Sequence, residues 1–212
     1  MRLNARASGV SVVVAIAACG AYGCGSPTAP DSSEVCSGYA DWQSSPYVLP
    51  YPVGDAFAVI QGNCAAAGNG HRDVNRYSYD FGMPIGTAFV AARGGTVVEV
   101  EQSHFDGQVA PTGLDNYIVV RHEDGTAALY GHLTHDGAAV SVGDVVLQGA
   151  ALGRSGNTGN TANVPHLHFS VQACDPVTGG SAACPTVPST FRNTDANPQG
   201  LQAGRTYRAL PY

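Results

Sequence analysis

Short runs of β-branched and aromatic residues, each closed by a turn signal, dominate this chain. No long segment repeats apolar residues at the three-to-four spacing of an amphipathic helix. The runs fall at residues 87–92, 95–101, 117–122, 127–132, 145–147 and 166–171. Arg93-Gly94-Gly95 and Glu123-Asp124-Gly125 break the chain between them, and the Asp-Gly dipeptide favours a tight hairpin in which residues 117–122 and 126–132 pair antiparallel. The expected fold is all-β, an antiparallel sheet or distorted sandwich whose chemistry sits on strand ends and loops. At 212 residues, with 44% hydrophobic content, there is room for one ordinary domain beside an export segment and a linker.

The N-terminus carries Arg2 and Arg6 ahead of a nearly unbroken apolar stretch over residues 10–18, the pattern of a secretory signal and too short to span a bilayer as a helix. Residues 1–18 are therefore expected to be a signal peptide. Residues 19–46, rich in Ser, Pro, Gly and Ala, are the expected tether, and residues 47–212 the folded domain. Cys19 follows Ile16-Ala17-Ala18, which resembles a bacterial lipobox, so membrane attachment through a lipidated Cys19 stands beside simple cleavage near Ala17, Ala18 and Gly20. Cys24 fits that pattern less well. Either route places the protein in the periplasm or cell envelope, and a monomer is expected.

Setting Cys19 and Cys24 aside leaves Cys36, Cys64, Cys174 and Cys184, an even set that allows three pairings. Local loop closure in an oxidising compartment favours Cys174 with Cys184 and leaves Cys36 for Cys64. None has the paired spacing of a thiolate zinc site. The chain has no lysine; without Arg2 and Arg6, eight arginines face 16 acidic residues. So acidic a protein is unsuited to nucleic acid, whose binding rests on clustered basic groups, and suits a peptide or glycan better.

Chemistry concentrates in His166-Leu167-His168. Residues two apart on a strand share a face, so two imidazoles project together while Leu167 turns to the core. Two partly buried, hydrogen-bonded histidines would give the same pattern without any metal. Other features accompany this pair, however. Asp80 ends the aromatic run Tyr77-Ser78-Tyr79-Asp80-Phe81, and His71 lies nine residues earlier across a polar segment able to loop back. Imidazole and carboxylate are suitable zinc donors, and three such ligands leave a fourth tetrahedral position open, as in catalytic sites. His132, in Tyr130-Gly131-His132-Leu133, is the next candidate because hydrolysis needs a proton carrier and the chain has no His-Glu-x-x-His helix to offer a glutamate.

At this point the sequence resembles the lysostaphin-like, or LytM-type, zinc endopeptidases of peptidoglycan. The likeness runs through Tyr47-Val48-Leu49-Pro50, Gln61-Gly62, His71, Tyr79-Asp80-Phe81-Gly82-Met83-Pro84-Ile85-Gly86-Thr87 and Ala91-Ala92-Arg93-Gly94-Gly95-Thr96-Val97-Val98. It continues through Asn116-Tyr117, Tyr130-Gly131-His132-Leu133, Gly143-Asp144, the segment from Gly153 to Gly159, and Pro165-His166-Leu167-His168-Phe169. The resemblance implies that His71, Asp80 and His168 hold one zinc ion and that His132 and His166 are the catalytic histidines beside it. It also implies a small antiparallel sheet with a narrow groove, and a reaction in which water attacks a peptide bond of wall stems or cross-bridges. A catalytically inactive member that binds the wall or regulates another hydrolase is the alternative.

The sequence departs from the family at Ser170, which follows Phe169 where an acidic residue is frequent and which bears on no ligand, and in the spacing of its first two ligands. Many members place the aspartate four residues after the first histidine, where this chain has Asn75, so Asp80 falls at the ninth position and Asp73 is a rival ligand. The glycine-rich stretch from Gly153 to Gly159 lacks the Gly-Lys-Ser or Gly-Lys-Thr ending of a phosphate loop and is expected to line the groove. His104, His122 and His135 match no family ligand and are expected to be structural or at the surface.

Overall fold

The computed structural model describes residues 36–64, 70–107, 114–174 and 184–212. The expected signal peptide, Cys19, Cys24 and most of the expected tether lie outside the described residues.

Eleven strands make up nearly all the regular structure of the described residues: β1 (Ala56–Gln61), β2 (Tyr79–Phe81), β3 (Ala88–Val90), β4 (Gly95–Glu101), β5 (Tyr117–Arg121), β6 (Ala127–Gly131), β7 (Leu133–Ala138), β8 (Val145–Val146), β9 (Ala151–Ser155), β10 (Leu167–Gln172) and β11 (Thr206–Arg208). Every strand pair is antiparallel. The larger sheet has the order β11-β1-β2-β10-β6-β5-β4-β8, and the smaller has β3-β9-β7. The fold is thus all-β, as the turn-punctuated sequence implies. The hairpin between β5 and β6 forms through the Asp-Gly turn: His122 donates to the Thr126 carbonyl at 2.8 Å, and Gly125 adopts φ +83°, a left-handed conformation that glycine enters without a Cβ clash.

Alternation sorts the three central strands into two faces. On β2 Tyr79 and Phe81, on β10 Leu167, Phe169 and Val171, and on β6 Ala128 and Tyr130 all lie in one hydrophobic core. Aromatic rings link these strands: Tyr79 meets Phe191 at 5.6 Å, Phe191 meets Phe169 at 5.7 Å, and Phe169 meets Tyr130 at 5.4 Å. Phe89 of the smaller sheet stacks on Tyr130 at 5.6 Å, which joins the two sheets. Buried tyrosine hydroxyls find main-chain partners, as each polar group removed from water must. Tyr51 and Tyr79 donate to the carbonyls of Tyr207 and Ser189, and Tyr130 accepts from the Ala92 amide.

Five strands were not visible in the sequence: β1, β2, β7, β9 and β11. β2 is three residues long, too short for the alternation of Tyr-Asp-Phe to stand out as a strand. β7 reads Leu-Thr-His-Asp-Gly-Ala, a composition poor in β formers. β9 occupies the start of the glycine-rich stretch expected to be loop. Residues 36–46, assigned from composition to the tether, lie against the body. Cys36 is disulfide-bonded to Cys64, Asn63 donates to the Tyr39 hydroxyl at 2.6 Å, and the Tyr39 ring packs on Tyr77. A covalent staple and a few polar contacts hold this segment, and neither leaves a hydrophobic signature. The second disulfide joins Cys174 to Cys184, so both pairs are those that loop closure favours.

Phe169 packs on two aromatic rings and is fully buried beneath the site strand β10. Phe169→Ala should cost about 3–5 kcal/mol of stability, the range for truncating a buried phenylalanine. Denaturant unfolding monitored by circular dichroism measures this.

Candidate metal centre

The opposite face of the same strands carries the candidate chemistry. Strand register sets Asp80 of β2 directly beside His168 of β10, and His168 beside Gly131 of β6. Directly paired residues share a face, so Asp80 and His168 project together, away from the aromatic core. Gly131 permits this closeness: a Cβ built there would come within 3.3 Å of the His168 Cβ. His71 arrives from a loop closed at its base, where its amide donates to the Gly62 carbonyl at 3.1 Å and Gly62 bridges Gly70.

Asp80 Oδ1 lies 2.9 Å from His168 Nδ1 and 3.1 Å from His71 Nε2. The His71 and His168 rings meet edge to face at 4.9 Å. One donor atom from each of His71, Asp80 and His168 lies within 4.8 Å of the other two. Tetrahedral zinc, with bonds of about 2.0–2.2 Å, holds its ligand atoms roughly 3.4 Å apart, so these donors need little movement to share an ion. His71 Nε2 is buried and makes no hydrogen bond of acceptable geometry, which is the state of a ligand nitrogen whose partner is a metal. The residues present therefore fit such an ion. Asp80 itself is buried, and burial alone would raise its pKa; the hydrogen bond with His168, the close approach of His71 and the charges of both outweigh this and hold the carboxyl well below its usual range.

Two further imidazoles flank this group. His132 and His166 pack at 4.7 Å, His132 lies 5.8 Å from His168, and His166 Nε2 is 3.6 Å from Asp80 Oδ2. Each Nδ1 faces a carbonyl at 2.8 Å, that of Thr158 for His132 and that of Val164 for His166. A carbonyl only accepts, so each Nδ1 carries the proton, and in the neutral ring Nε2 keeps its lone pair. Burial lowers the pKa of both, with the His168 charge adding to the effect at His132. They are neutral bases aimed at the donor group.

His132 is the one residue between β6 of the large sheet and β7 of the small one, and it turns the chain with φ +64°. A non-glycine residue held in that region costs about 1–3 kcal/mol and persists where its surroundings over-determine it. Sequence reasoning found His132 but not what holds it: Asn116 and Thr158, both fully buried, whose places were visible only as matching segments.

Asp73 lies exposed in a three-residue 3-10 turn, Asp73–Asn75, and is not among the clustered donors; Asn75 shares that turn. His104 pairs through its main chain with the Asn116 side chain, and His135 stacks on Phe105 at 3.9 Å. His122 is buried at the end of the β5–β6 hairpin, its Nδ1 3.0 Å from the Gly94 carbonyl. None of these three contributes a donor to the group.

An antiparallel all-β scaffold that gathers two histidines and an aspartate around one point, with two further imidazoles beside them, has the donor set and the neighbouring bases that suit a metal-dependent hydrolase. A family model described as peptidase family M23 matches residues 75–180, half of the chain, and the chain belongs to that family. The matched span holds Asp80, His132, His166 and His168; His71 lies just before it. Lysostaphin of Staphylococcus simulans is 38% identical over 94 residues, which are 44% of this chain and 17% of that protein. Lysostaphin of Staphylococcus staphylolyticus is 38% identical over the same length, 18% of its own. The chain thus spans less than a fifth of the curated relatives it matches. Among solved structures, the catalytic domain of Staphylococcus simulans lysostaphin is 30% identical, with a TM-score of 0.40, over 59% of this chain and 90% of that one. A zinc-containing peptidase from Vibrio cholerae is 26% identical, with a TM-score of 0.43, over 60% and 37%.

Asp80→Ala and His168→Ala should each abolish tight zinc binding in isothermal titration calorimetry, whereas Asp73→Ala should bind as the parent does. Burial lowers the His122 pKa in the folded protein, so above about pH 6.5 its imidazole is neutral in both folded and unfolded chains. Below that pH the unfolded chain takes up a proton that the folded one resists, and stability falls until the folded pKa is reached. His122→Gln should therefore show a shallower loss of stability as pH drops below about 6.5, read by denaturant unfolding at each pH.

Proposed function

We propose that this protein is an exported zinc endopeptidase that hydrolyses peptide bonds in the stem peptides or cross-bridges of peptidoglycan. The observation that carries this reading is the gathering of His71, Asp80 and His168 donors at one point, with the imidazoles of His132 and His166 beside them and both Nδ1 atoms held by carbonyls. Membership of peptidase family M23 and the likeness to lysostaphin support the substrate class. The secretory pattern at residues 1–18 and the acidic composition support an envelope location and a peptide substrate.

In this reading His71, Asp80 and His168 hold one zinc ion. Bound zinc supplies Lewis acidity, which polarises a scissile carbonyl and makes water acidic near neutral pH. The remaining work falls to the protein. Asp80, kept ionised by its histidine partners, gives the donor set one negative charge. His132 and His166 are neutral bases, one able to accept the proton of the attacking water at Nε2 and return it to the departing amine, the other able to donate toward the developing oxyanion once its own Nε2 has taken up a proton. Gly131, paired with His168 of β10 and Tyr117 of β5, adds no side chain to the site face between them.

Purified protein loaded with zinc should release peptides from peptidoglycan sacculi, identified by mass spectrometry; a chelator should stop the release and added zinc restore it. His132→Ala and His166→Ala should lower turnover by about 10²- to 10⁴-fold, the usual weight of a general acid or base, while still binding zinc. Undiminished cleavage by Asp80→Ala or His168→Ala protein would overturn the metal assignment. A folded, zinc-loaded protein that binds sacculi and cleaves none of several wall types would leave a wall-binding module in its place.

A further inference from the structure

Of the glycine-rich stretch from Gly153 to Gly159, the mechanism above draws only on the Thr158 carbonyl that faces His132. Thr158 is fully buried and makes three hydrogen bonds. Its main-chain carbonyl faces His132 Nδ1 at 2.8 Å. Its hydroxyl accepts from the Asn116 amide at 2.9 Å and donates to the Leu133 carbonyl at 2.9 Å. Leu133 directly follows His132, and its own amide donates to the Asn116 carbonyl at 3.1 Å. The Asn116 side chain completes the lattice: its amide nitrogen lies 2.8, 3.3 and 3.2 Å from the carbonyls of His104, Leu133 and Thr134, and its Oδ1 accepts from the His104 amide at 2.9 Å.

We propose that Thr158 is a positioning residue for His132: its hydroxyl, clamped between Asn116 and Leu133, fixes the carbonyl that dictates which ring nitrogen of His132 bears the proton. The geometry leaves little freedom. A single hydroxyl ties the residue before β5 to the residue after His132, so the carbonyl of Thr158 and the ring of His132 are registered to one another through two short links. His132 also sits in a left-handed conformation, φ +64°, that local preference would not maintain. Without the clamp the carbonyl can shift, Nδ1 can lose its partner, and the two neutral tautomers approach equal footing. Nε2 would then carry the proton in part of the population and cease to act as a base there. The role assigned to His132 rests on the proposed endopeptidase activity, but the tautomer itself does not.

Serine keeps the hydroxyl and valine keeps the shape without it. Imidazole nitrogen chemical shifts of ¹⁵N-histidine-labelled protein, read above pH 7.5 without zinc, should show His132 of the parent protein as the Nδ1–H tautomer, its resonance assigned by loss in His132→Ala. Thr158→Val should move those shifts toward a mixture of tautomers, and Thr158→Ser should return them to parental values. On peptidoglycan fragments, Thr158→Val should lower kcat by about 10-fold or more with KM within about twofold, at unchanged zinc stoichiometry, and Thr158→Ser should restore kcat, since small displacements of a catalytic group have large effects. An Nε2–H tautomer in the parent protein overturns the proposal, and this holds even if no variant folds. So do parental shifts in folded Thr158→Val, or a kcat loss that serine fails to reverse. If the parent cleaves nothing while the tautomer behaves as described, the endopeptidase reading fails and the positioning role stands.

Discussion

The aromatic layer beneath β2, β10 and β6 is the contact on which the rest of the molecule depends. Tyr79, Phe81, Phe169 and Tyr130 occupy alternate positions on three neighbouring strands, and their burial holds the register of those strands. A slip of one residue would turn every one of these rings toward solvent. Because register is held this firmly on one face, Asp80 and His168 are necessarily side by side on the other. The core thus positions Asp80 and His168, two of the three candidate donors, from the opposite face of the strands.

A buried carboxylate is unfavourable unless partners compensate for the lost water. Around Asp80 the compensation comes from His168 and His71, and the outcome is an ionised group despite its burial. The interdependence runs both ways, since removing either partner leaves an exposed fault in a dry place. That gives the site a structural reason to be intact as well as a chemical one. His71 depends least on the sheet. It is carried by a loop whose base is pinned by Gly62 and whose neighbour Cys64 is stapled to Cys36, so the N-terminal segment is bound to the donor set through one covalent link.

His132 marks the place where the chain leaves one sheet and enters the other. A one-residue connection between strands of different sheets demands an abrupt turn, and the left-handed backbone of His132 provides it. The same turn throws the imidazole over the site face next to His166. Fold topology and chemistry are therefore joined at a single residue, with Asn116 and Thr158 bracing it from the neighbouring segments.

The sequence alone carried the all-β class, the β5–β6 hairpin, both disulfide pairs, and the face shared by His166 and His168, because these follow from local rules: turn dipeptides, loop length and the two-residue period of a strand. It also held the five residues of the candidate site, but only as candidates, with Asp80 favoured over its rival Asp73 by the aromatic residues around it and the Met-Pro-Ile-Gly-Thr segment that follows. Tertiary structure separated them. Register against β10 buries Asp80 beside His168, while Asp73 turns outward in an exposed 3-10 turn. The strands β2, β7 and β9, the packing of residues 36–46 and the Thr158 clamp were likewise decided only by folding. Each rests on hydrogen bonds or a disulfide between segments distant in the chain, and such contacts imprint no period on the sequence that makes them.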